Sequence, residues 1–264
     1  MIFGRIILAV DTKEVIGKEN QEMNEIQNKY KKEIDEIIEV CIRDGELGYG
    51  ASVGGNVSYR VEENLVLITP TKTPKRKITF DMICAVDMDG NTIYAPEGKK
   101  PTGEAFMHLH IMKIRPDVKA VMHAHPPIAI GMSTSEQGKK AMLLPLIPEA
   151  MMAVGPVITI PYAEPNAKAL GYVFDPYVND SNGFILENHG VVALGKKNPL
   201  DTIELIQIIE TMAQSIIAAR VMGKELLTLT AKDMEGLDQV IKELGWKLPG
   251  ASGRYTCIQD VFNL

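Results

Sequence analysis

The sequence is poor in cysteine, in aromatic residues and in positive charge. Its three cysteines, Cys41, Cys84 and Cys257, lie far apart and form no CxxC pair. This spacing argues against a disulfide framework and predicts a protein of the reducing cytoplasm. The formal net charge of −6 argues against a surface that binds nucleic acid or anionic membranes. An anionic small substrate stays compatible with this charge, because one pocket can be locally positive.

The apolar N-terminal stretch from Met1 to Val10 contains Arg5 and is too short to span a bilayer. We interpret residues 1–18 as an N-terminal arm, either an edge strand or a segment packed on a partner. Residues 245–264 are interpreted as a C-terminal tail. The sequence shows no repeats, no low complexity and no linker, so we expect one domain over residues 1–264.

Helical and strand patterns alternate along the chain. An amphipathic helix is predicted from Glu19 to Asp44, and the longest helix is predicted to begin after Asn198, whose side chain can cap it. Between them, the pair Asp89-Gly90 predicts a hairpin of two short strands. Interleaved strands and helices with a hairpin in the middle predict an α/β sandwich with a mixed sheet rather than a purely parallel one.

Two histidines stand at the end of a predicted strand. The apolar run from Val118 to Met122 leads into His123 and His125, and two prolines then stop the strand. Residues i and i+2 of a strand point to the same face, so these two imidazoles can meet one metal ion. We therefore predict His123 and His125 as metal ligands at a sheet edge.

A second pair, His108 and His110, has the same spacing but lies in a predicted helix from Glu104 to Arg115. Residues i and i+2 of a helix diverge by about 200°, so these two histidines cannot share a metal ion. We interpret both as structural. Of the five histidines in the chain, His189 is then the best third ligand, in a turn between two short predicted strands.

Two of these residues also fit a purely structural role. His189 fits a hydrogen-bonded turn histidine. Glu104, at the start of a predicted helix, fits a first-turn carboxylate that the helix dipole favours. The functional alternative makes Glu104 a general base beside the metal.

The same helix start offers an anion its free backbone N–H groups and the Thr102 hydroxyl. Asn56, the Thr71 hydroxyl and Lys72 are predicted to complete a phosphate site. An alternative places Lys72 in a solvated basic loop with Lys75, Arg76 and Lys77.

The motifs taken together resemble the class II aldolase/adducin family, and within it the L-fuculose-1-phosphate aldolases. The resemblance covers roughly residues 33–223. It rests on five motifs that occur in the family's order and approximate spacing: Gly55-Asn56-Val57-Ser58, Thr69-Pro70-Thr71, Pro101-Thr102-Gly103-Glu104, His123-Ala124-His125 and Asn188-His189-Gly190.

The resemblance implies a three-layer α/β/α sandwich around a central, mostly antiparallel mixed sheet. It implies a homotetramer with active sites at subunit interfaces and one divalent transition metal per subunit, expected to be zinc. His123, His125 and His189 match the family's metal ligands. Glu104 matches the glutamate that ligates the resting metal and then acts as acid and base. Asn56, Thr71, Thr102 and Gly103 fall in the family's phosphate site.

The implied reaction is metal-dependent cleavage of a fuculose- or rhamnulose-1-phosphate-like ketose to dihydroxyacetone phosphate and an aldehyde through an enediolate. Three positions differ from the fuculose-phosphate aldolases. Lys72 stands where glycine is usual, and Gly103 stands where they have a second serine. Glu149 stands at the position of their proton-donor tyrosine and is a candidate catalytic acid or base, as in the similar rhamnulose-phosphate aldolases.

The same scaffold also implies two alternative functions. One is another reaction on a sugar phosphate, either pentulose-phosphate 4-epimerisation or decarboxylation of a sugar-acid phosphate. The other is a non-catalytic, adducin-like interaction module, which is expected to have lost metal ligands.

Overall fold

The computed structural model describes residues 25–50, 52–223 and 225–263. The predicted arm at residues 1–18 and the first turn of the helix predicted from Glu19 lie outside them. Within the described part, the strands are β1 (Asn56–Glu62), β2 (Leu65–Ile68), β3 (Cys84–Val86), β4 (Thr92–Tyr94), β5 (Ala120–Ala124), β6 (Ile158–Ile160), β7 (Gly183–Leu186) and β8 (Gly190–Gly195). The α-helices are α1 (Lys31–Glu46), α2 (Ala105–Ile114), α3 (Pro127–Ser133), α4 (Glu136–Ala141), α5 (Ala169–Tyr172), α6 (Pro199–Val221), α7 (Ala231–Glu243) and α8 (Ile258–Val261).

The eight strands form one sheet in the order β4-β3-β2-β1-β5-β8-β7-β6. Every neighbouring pair is antiparallel except β6 and β7, which are parallel. The predicted mostly antiparallel mixed sheet is therefore confirmed, as is the hairpin of β3 and β4. The strand β5 lies near the middle of the sheet, where β1 and β8 flank it.

Alternate residues of each strand feed two separate cores, which makes three layers. In β2, Leu67 belongs to the core under α1 and α6, whereas Val66 and Ile68 belong to the core under α2 and α5. This alternation follows from the period of two along a strand. The structure confirms the α/β/α sandwich.

The predicted helices form, but the first differs from the helix predicted from Glu19 to Asp44. Residues 25–29 are helical, a turn follows at Tyr30, and α1 then runs from Lys31 to Glu46, two residues past the predicted end. Ile34, Ile37 and Cys41 are buried on α1. The Asn198 side chain accepts a hydrogen bond from Asp201 N and caps α6, as predicted. The helix α6 has the length and composition of a membrane span, but half of it is buried inside this fold. We interpret it as the core helix of the α1 layer.

The predicted C-terminal tail packs back on the body. Arg115, which is fully buried at the end of α2, donates to Gly250 O at 2.8 Å and to Val178 O at 2.7 Å. Gly250 N in turn donates to Asn182 Oδ1 at 3.1 Å. One buried guanidinium therefore joins α2, the segment before β7 and the C-terminal segment.

Candidate active site

Three histidine side chains converge at one edge of the sheet. His123 is in β5, His125 directly follows it, and His189 lies in the turn between β7 and β8. Each offers one ring nitrogen to a group in which the three atoms lie within 4.8 Å of one another. The ring centroid of His123 lies 4.6 Å from that of His125 and 4.7 Å from that of His189. The structure therefore brings the three predicted ligands together.

Strand register and one glycine place these rings. His123 pairs with Val192 of β8 on one side and with Asn56 of β1 on the other. A Cβ atom at Gly190 would lie 2.6 Å from Cε1 of His123 and 2.9 Å from Cδ2 of His125. The two rings therefore leave room only for a hydrogen atom at position 190, which glycine provides.

Hydrogen bonding and burial prepare the rings for ligation. Nδ1 of His123 lies 3.0 Å from Val191 O, and because a carbonyl only accepts, Nδ1 carries the proton and Nε2 is left with a free lone pair. Burial lowers the pKa of His123 well below its usual range and also lowers that of His125, so both rings are neutral, as ligands must be. Nε2 of His123 and Nδ1 of His189 are buried without a hydrogen-bond partner among the described residues. The free lone pair on Nε2 of His123, next to two further imidazoles, fits a divalent transition metal.

Glu104 brings a carboxylate to the same point. It is the residue before α2, it is buried, and its two oxygens lie 3.7 Å from Nε2 of His123 and 3.8 Å from Nε2 of His189. These contacts are longer than hydrogen bonds. The carboxylate therefore borders the histidine cluster without being tied to either ring.

A buried chain of hydrogen bonds fixes Glu104 from behind. Asn56 Nδ2 donates to Oε2 of Glu104 at 2.8 Å, and Asn56 Oδ1 accepts from Nε2 of His108. Burial lowers the pKa of His108 to about 3, so its ring is neutral and Nδ1 accepts from the Ser58 hydroxyl at 2.7 Å. All four side chains are buried. Along this chain, each hydrogen-bond donor is therefore matched with an acceptor on the next side chain.

The interpretation of His108 and His110 as residues that do not ligate a metal agrees with this geometry. His110 points away from the cluster and pairs with Asp175 at 2.6 Å. His108 has a role that we did not predict, since it orients Asn56. The signal was present in the sequence, because Glu104 and His108 are four residues apart and so share one helix face.

The histidines and Glu104 form one side of an open cleft of about 310 Å³. Three of the predicted phosphate ligands, Thr71, Lys72 and Thr102, also line it. Lys72 is exposed and has φ +54°, a left-handed conformation that is strained for a residue with a Cβ atom. This conformation explains why glycine suits the position. Asn56 lines the cleft as well, although its amide is already bonded to Glu104 and His108.

The alternative prediction of a solvated basic loop is wrong for Lys75. Lys75 is only 3% exposed, and its Nζ donates to Thr73 O at 2.9 Å and to Val53 O at 3.2 Å. Burial lowers its pKa. Lys75 lines the cleft and joins the loop before β1 to the loop after β2. Arg76 and Lys77 are exposed, as expected.

Two predicted residues do not line this cleft. Gly103 is exposed, and a side chain there would meet a neighbouring residue, described below. Glu149 is exposed, directly before a π-helical turn at Ala150–Val154, and it is not among the cleft residues. Its predicted catalytic role stays a prediction.

Comparison with known proteins agrees with this geometry. The sequence model of the Class II Aldolase and Adducin N-terminal domain matches residues 35–217. An L-fuculose phosphate aldolase from Methanocaldococcus jannaschii is 32% identical over 179 residues, which cover 68% of this chain and 92% of that protein. A 3-oxo-tetronate 4-phosphate decarboxylase from Haemophilus influenzae is 29% identical over 194 residues, covering 73% of this chain and 90% of that protein.

Solved structures share the fold. An L-fuculose 1-phosphate aldolase superposes with a TM-score of 0.66 at 25% identity, covering 80% of this chain and 96% of that one. YgbL from Escherichia coli superposes with a TM-score of 0.70 at 24% identity, covering 77% of this chain and 96% of that one.

Proposed function

The chain belongs to the class II aldolase and adducin family, and from this premise we propose that it is a metal-dependent aldolase. Its proposed substrate is a ketose 1-phosphate of the fuculose or rhamnulose type, cleaved to dihydroxyacetone phosphate and an aldehyde. Support comes from the relatives named for aldolase activity on L-fuculose phosphate.

One observation carries the proposal. A buried carboxylate, Glu104, lies 3.7 and 3.8 Å from two members of a three-histidine cluster in an open cleft. A metal-binding group with an adjacent carboxylate that is not hydrogen-bonded to the histidine rings suits a reaction that needs both charge stabilisation and proton transfer. A non-catalytic adducin-like module would not need to keep this arrangement.

His123, His125 and His189 would hold the metal, which we propose to be zinc. When bound there, a divalent metal ion supplies Lewis-acid stabilisation of the negative charge that develops on the substrate carbonyl oxygen. Imidazole ligands also suit other transition metals. The identity of the ion is therefore settled by elemental analysis and not by the ligand set.

The proposed cleavage breaks the bond between C3 and C4 of the ketose. A base, for which Glu149 of a neighbouring copy is the candidate, takes the proton of the C4 hydroxyl, which becomes the aldehyde, while the electron pair of the broken bond forms the enediolate of dihydroxyacetone phosphate. Glu104 in its protonated form is proposed to give its proton to the enediolate carbon, and proton exchange with solvent then returns both groups to their starting forms. Its chain of hydrogen bonds through Asn56 and His108 holds the carboxylate in one orientation for that transfer.

A decarboxylase is the second candidate, because one relative is named for that activity on 3-oxo-tetronate 4-phosphate. Loss of carbon dioxide from such a 3-oxo acid also leaves an enediolate, and protonation of its carbon also gives dihydroxyacetone phosphate. The two candidates therefore share the anion and the protonation step. They differ in the leaving fragment, which is an aldehyde in one case and carbon dioxide in the other.

The test is to supply the metal-loaded protein, in separate assays, with L-fuculose 1-phosphate, L-rhamnulose 1-phosphate, a 3-oxo-tetronate 4-phosphate and a pentulose phosphate. Release of free dihydroxyacetone phosphate is followed with a coupled dehydrogenase. Release of an aldehyde identifies the aldolase, and release of carbon dioxide identifies the decarboxylase. Conversion of a pentulose phosphate without release of dihydroxyacetone phosphate would identify the epimerase instead, and no turnover of any substrate would contradict the whole proposal.

A further inference from the structure

The start of α2 is in close contact with the loop between β6 and α5. A Cβ atom built on Gly103 would lie 2.2 Å from Oδ1, 2.9 Å from Cγ and 3.3 Å from Cβ of Asn166. The backbone of Gly103 is not left-handed, so its conformation does not itself require glycine. A side chain at 103 would therefore have to displace the Asn166 side chain, which occupies that space.

Asn166 also replaces residue 103 in the wall of the cleft. Asn166 lines the cleft beside Thr71, Lys72 and Thr102, whereas Gly103 does not. The Asn166 side chain is exposed and forms no hydrogen bond with the described residues. Its amide therefore keeps two N–H donors and one acceptor available for a ligand.

The backbone of Asn166 is unusual as well. Its φ is +64°, in the left-handed region that costs energy for a residue with a Cβ atom and that asparagine tolerates better than most. Lys72, on the facing loop, has φ +54°. Strained conformations of this kind mark positions where a side chain is held for a purpose other than local stability. Here both strained residues border the same cleft.

We propose that Asn166 is a substrate-binding residue that recognises the phosphate group through its side-chain amide. This inference rests on the proposed function, since it takes the ligand to be a phosphate monoester. The Asn166 amide supplies the hydrogen bonds that a side chain at position 103 cannot supply, and Lys72 supplies the positive charge. The geometry couples the two positions, because a serine at 103 and an asparagine at 166 compete for the same space.

The test measures binding of dihydroxyacetone phosphate and of unphosphorylated dihydroxyacetone to the metal-loaded protein, without turnover. We expect Asn166→Ala to weaken the binding of dihydroxyacetone phosphate by about 10-fold and to leave the binding of dihydroxyacetone unchanged. A loss of about 10-fold is what removal of a hydrogen bond to a charged group is expected to cost. Glu164→Ala is the matched control. Glu164 is exposed on the same loop but does not line the cleft, so its removal should leave both affinities unchanged.

The competition for space gives a second readout. Gly103→Ser alone should displace the Asn166 amide and weaken the binding of dihydroxyacetone phosphate. The double variant Gly103→Ser/Asn166→Ala has room for the serine hydroxyl and should bind dihydroxyacetone phosphate more tightly than either single variant. A purely structural role for Asn166 predicts additive losses instead.

Three results overturn the inference. Equal affinity of Asn166→Ala and the wild type for dihydroxyacetone phosphate removes Asn166 from the site and leaves the proposed function intact. An equal loss of affinity of Asn166→Ala for dihydroxyacetone shows that the amide contacts the carbon skeleton and not the phosphate. Failure of the wild type to bind dihydroxyacetone phosphate at millimolar concentration overturns the proposed function together with this inference.

Discussion

Glu104 is the residue on which the proposed proton transfer depends. Glu104→Gln keeps the size and the hydrogen bond from Asn56 but removes the base, so we expect the fold and most of the metal to remain and kcat to fall by about 10²- to 10⁴-fold. Steady-state kinetics and metal analysis of the same preparation check this. Wild-type turnover in the variant would reduce Glu104 to a carboxylate that stabilises the start of α2.

The histidine cluster predicts the metal content. We expect one transition-metal ion per wild-type chain and a large loss in His123→Ala, because this ring is the most buried of the three and lies between the other two. Elemental analysis of purified protein measures both. His110→Ala is the control, since His110 pairs with Asp175 and not with the cluster. Equal metal content in wild type and His123→Ala would contradict the assignment.

Lys72 is predicted to bind the substrate phosphate. An ammonium beside a phosphate dianion forms charge-assisted hydrogen bonds, so Lys72→Ala should raise KM by an amount worth about 1.5 to 3 kcal/mol, with little effect on kcat. Lys75 is unsuitable as a control, because it is buried and joins two loops of the cleft. Lys77→Ala is the appropriate control, being exposed on the same loop. The same small change in both variants would make Lys72 part of the solvated surface.

Individual residues differ in how far the sequence could predict their positions. His123 and His125 were predictable because the period of a strand is local. The contacts of His108, Lys75 and Asn166 were not, since each depends on which loops and strands the tertiary fold brings together. Asn166, for example, meets Gly103 only through the packing of two loops that are distant in sequence.

At the scale of elements, α1 carries an ionisable group in an unfavourable place. Asp44 lies in its last turn, where the helix dipole disfavours negative charge, and its two oxygens are buried without a hydrogen-bond partner among the described residues. Burial raises the pKa of Asp44 from 3.8 to about 7, although the nearby Lys75 acts in the opposite direction. The native state therefore binds this proton more tightly than the unfolded state.

The consequence is a pH-dependent stability. The contribution of protonated Asp44 is fully present below pH 3.8 and is lost as the pH rises through about 7. Asp44→Asn should therefore raise the free energy of unfolding at pH 8 by about 2 to 4 kcal/mol and have much less effect near pH 4. Urea denaturation at both pH values measures this. Asp35→Asn, exposed on the same helix, is the control, and an equal effect of Asp44→Asn at the two pH values would contradict the mechanism.

The order of the strands shows which part of the fold the sequence leaves open. The existence of the strands and the β3–β4 hairpin followed from local patterns and turn residues. The parallel pairing of β6 with β7 and the insertion of β5 between β1 and β8 did not, because they depend on connections across the whole sheet. The family resemblance predicted a mostly antiparallel mixed sheet but not this strand order. The strand order is also what places Asn56 opposite His123.

At the scale of the whole molecule, the end of α6 leaves apolar side chains uncovered by the described part of the chain. Val221 is 81% exposed, Met222 68% and Leu227 88%. Large apolar side chains this exposed are candidates for an interaction surface. We propose that they contribute to a homotetramer, the assembly that the family resemblance implies. Such an assembly would also give Glu149, which does not line the cleft of its own chain, a route to the active site of a neighbouring copy.

Light scattering of the wild type at micromolar concentration should then show a species of four 29.1 kDa chains. The double substitution Val221→Asp/Met222→Asp places charge where apolar burial is expected, so it should shift the mass towards smaller species while circular dichroism stays unchanged. Ile93→Asp, on the edge strand β4 and 45% exposed, should leave the mass unchanged. A wild-type monomer would contradict the proposed tetramer and would leave Glu149 without a route to the chemistry. A tetramer that survives both substitutions would show instead that the contacts lie on another surface, because two new charges per chain at a buried interface are too costly to retain.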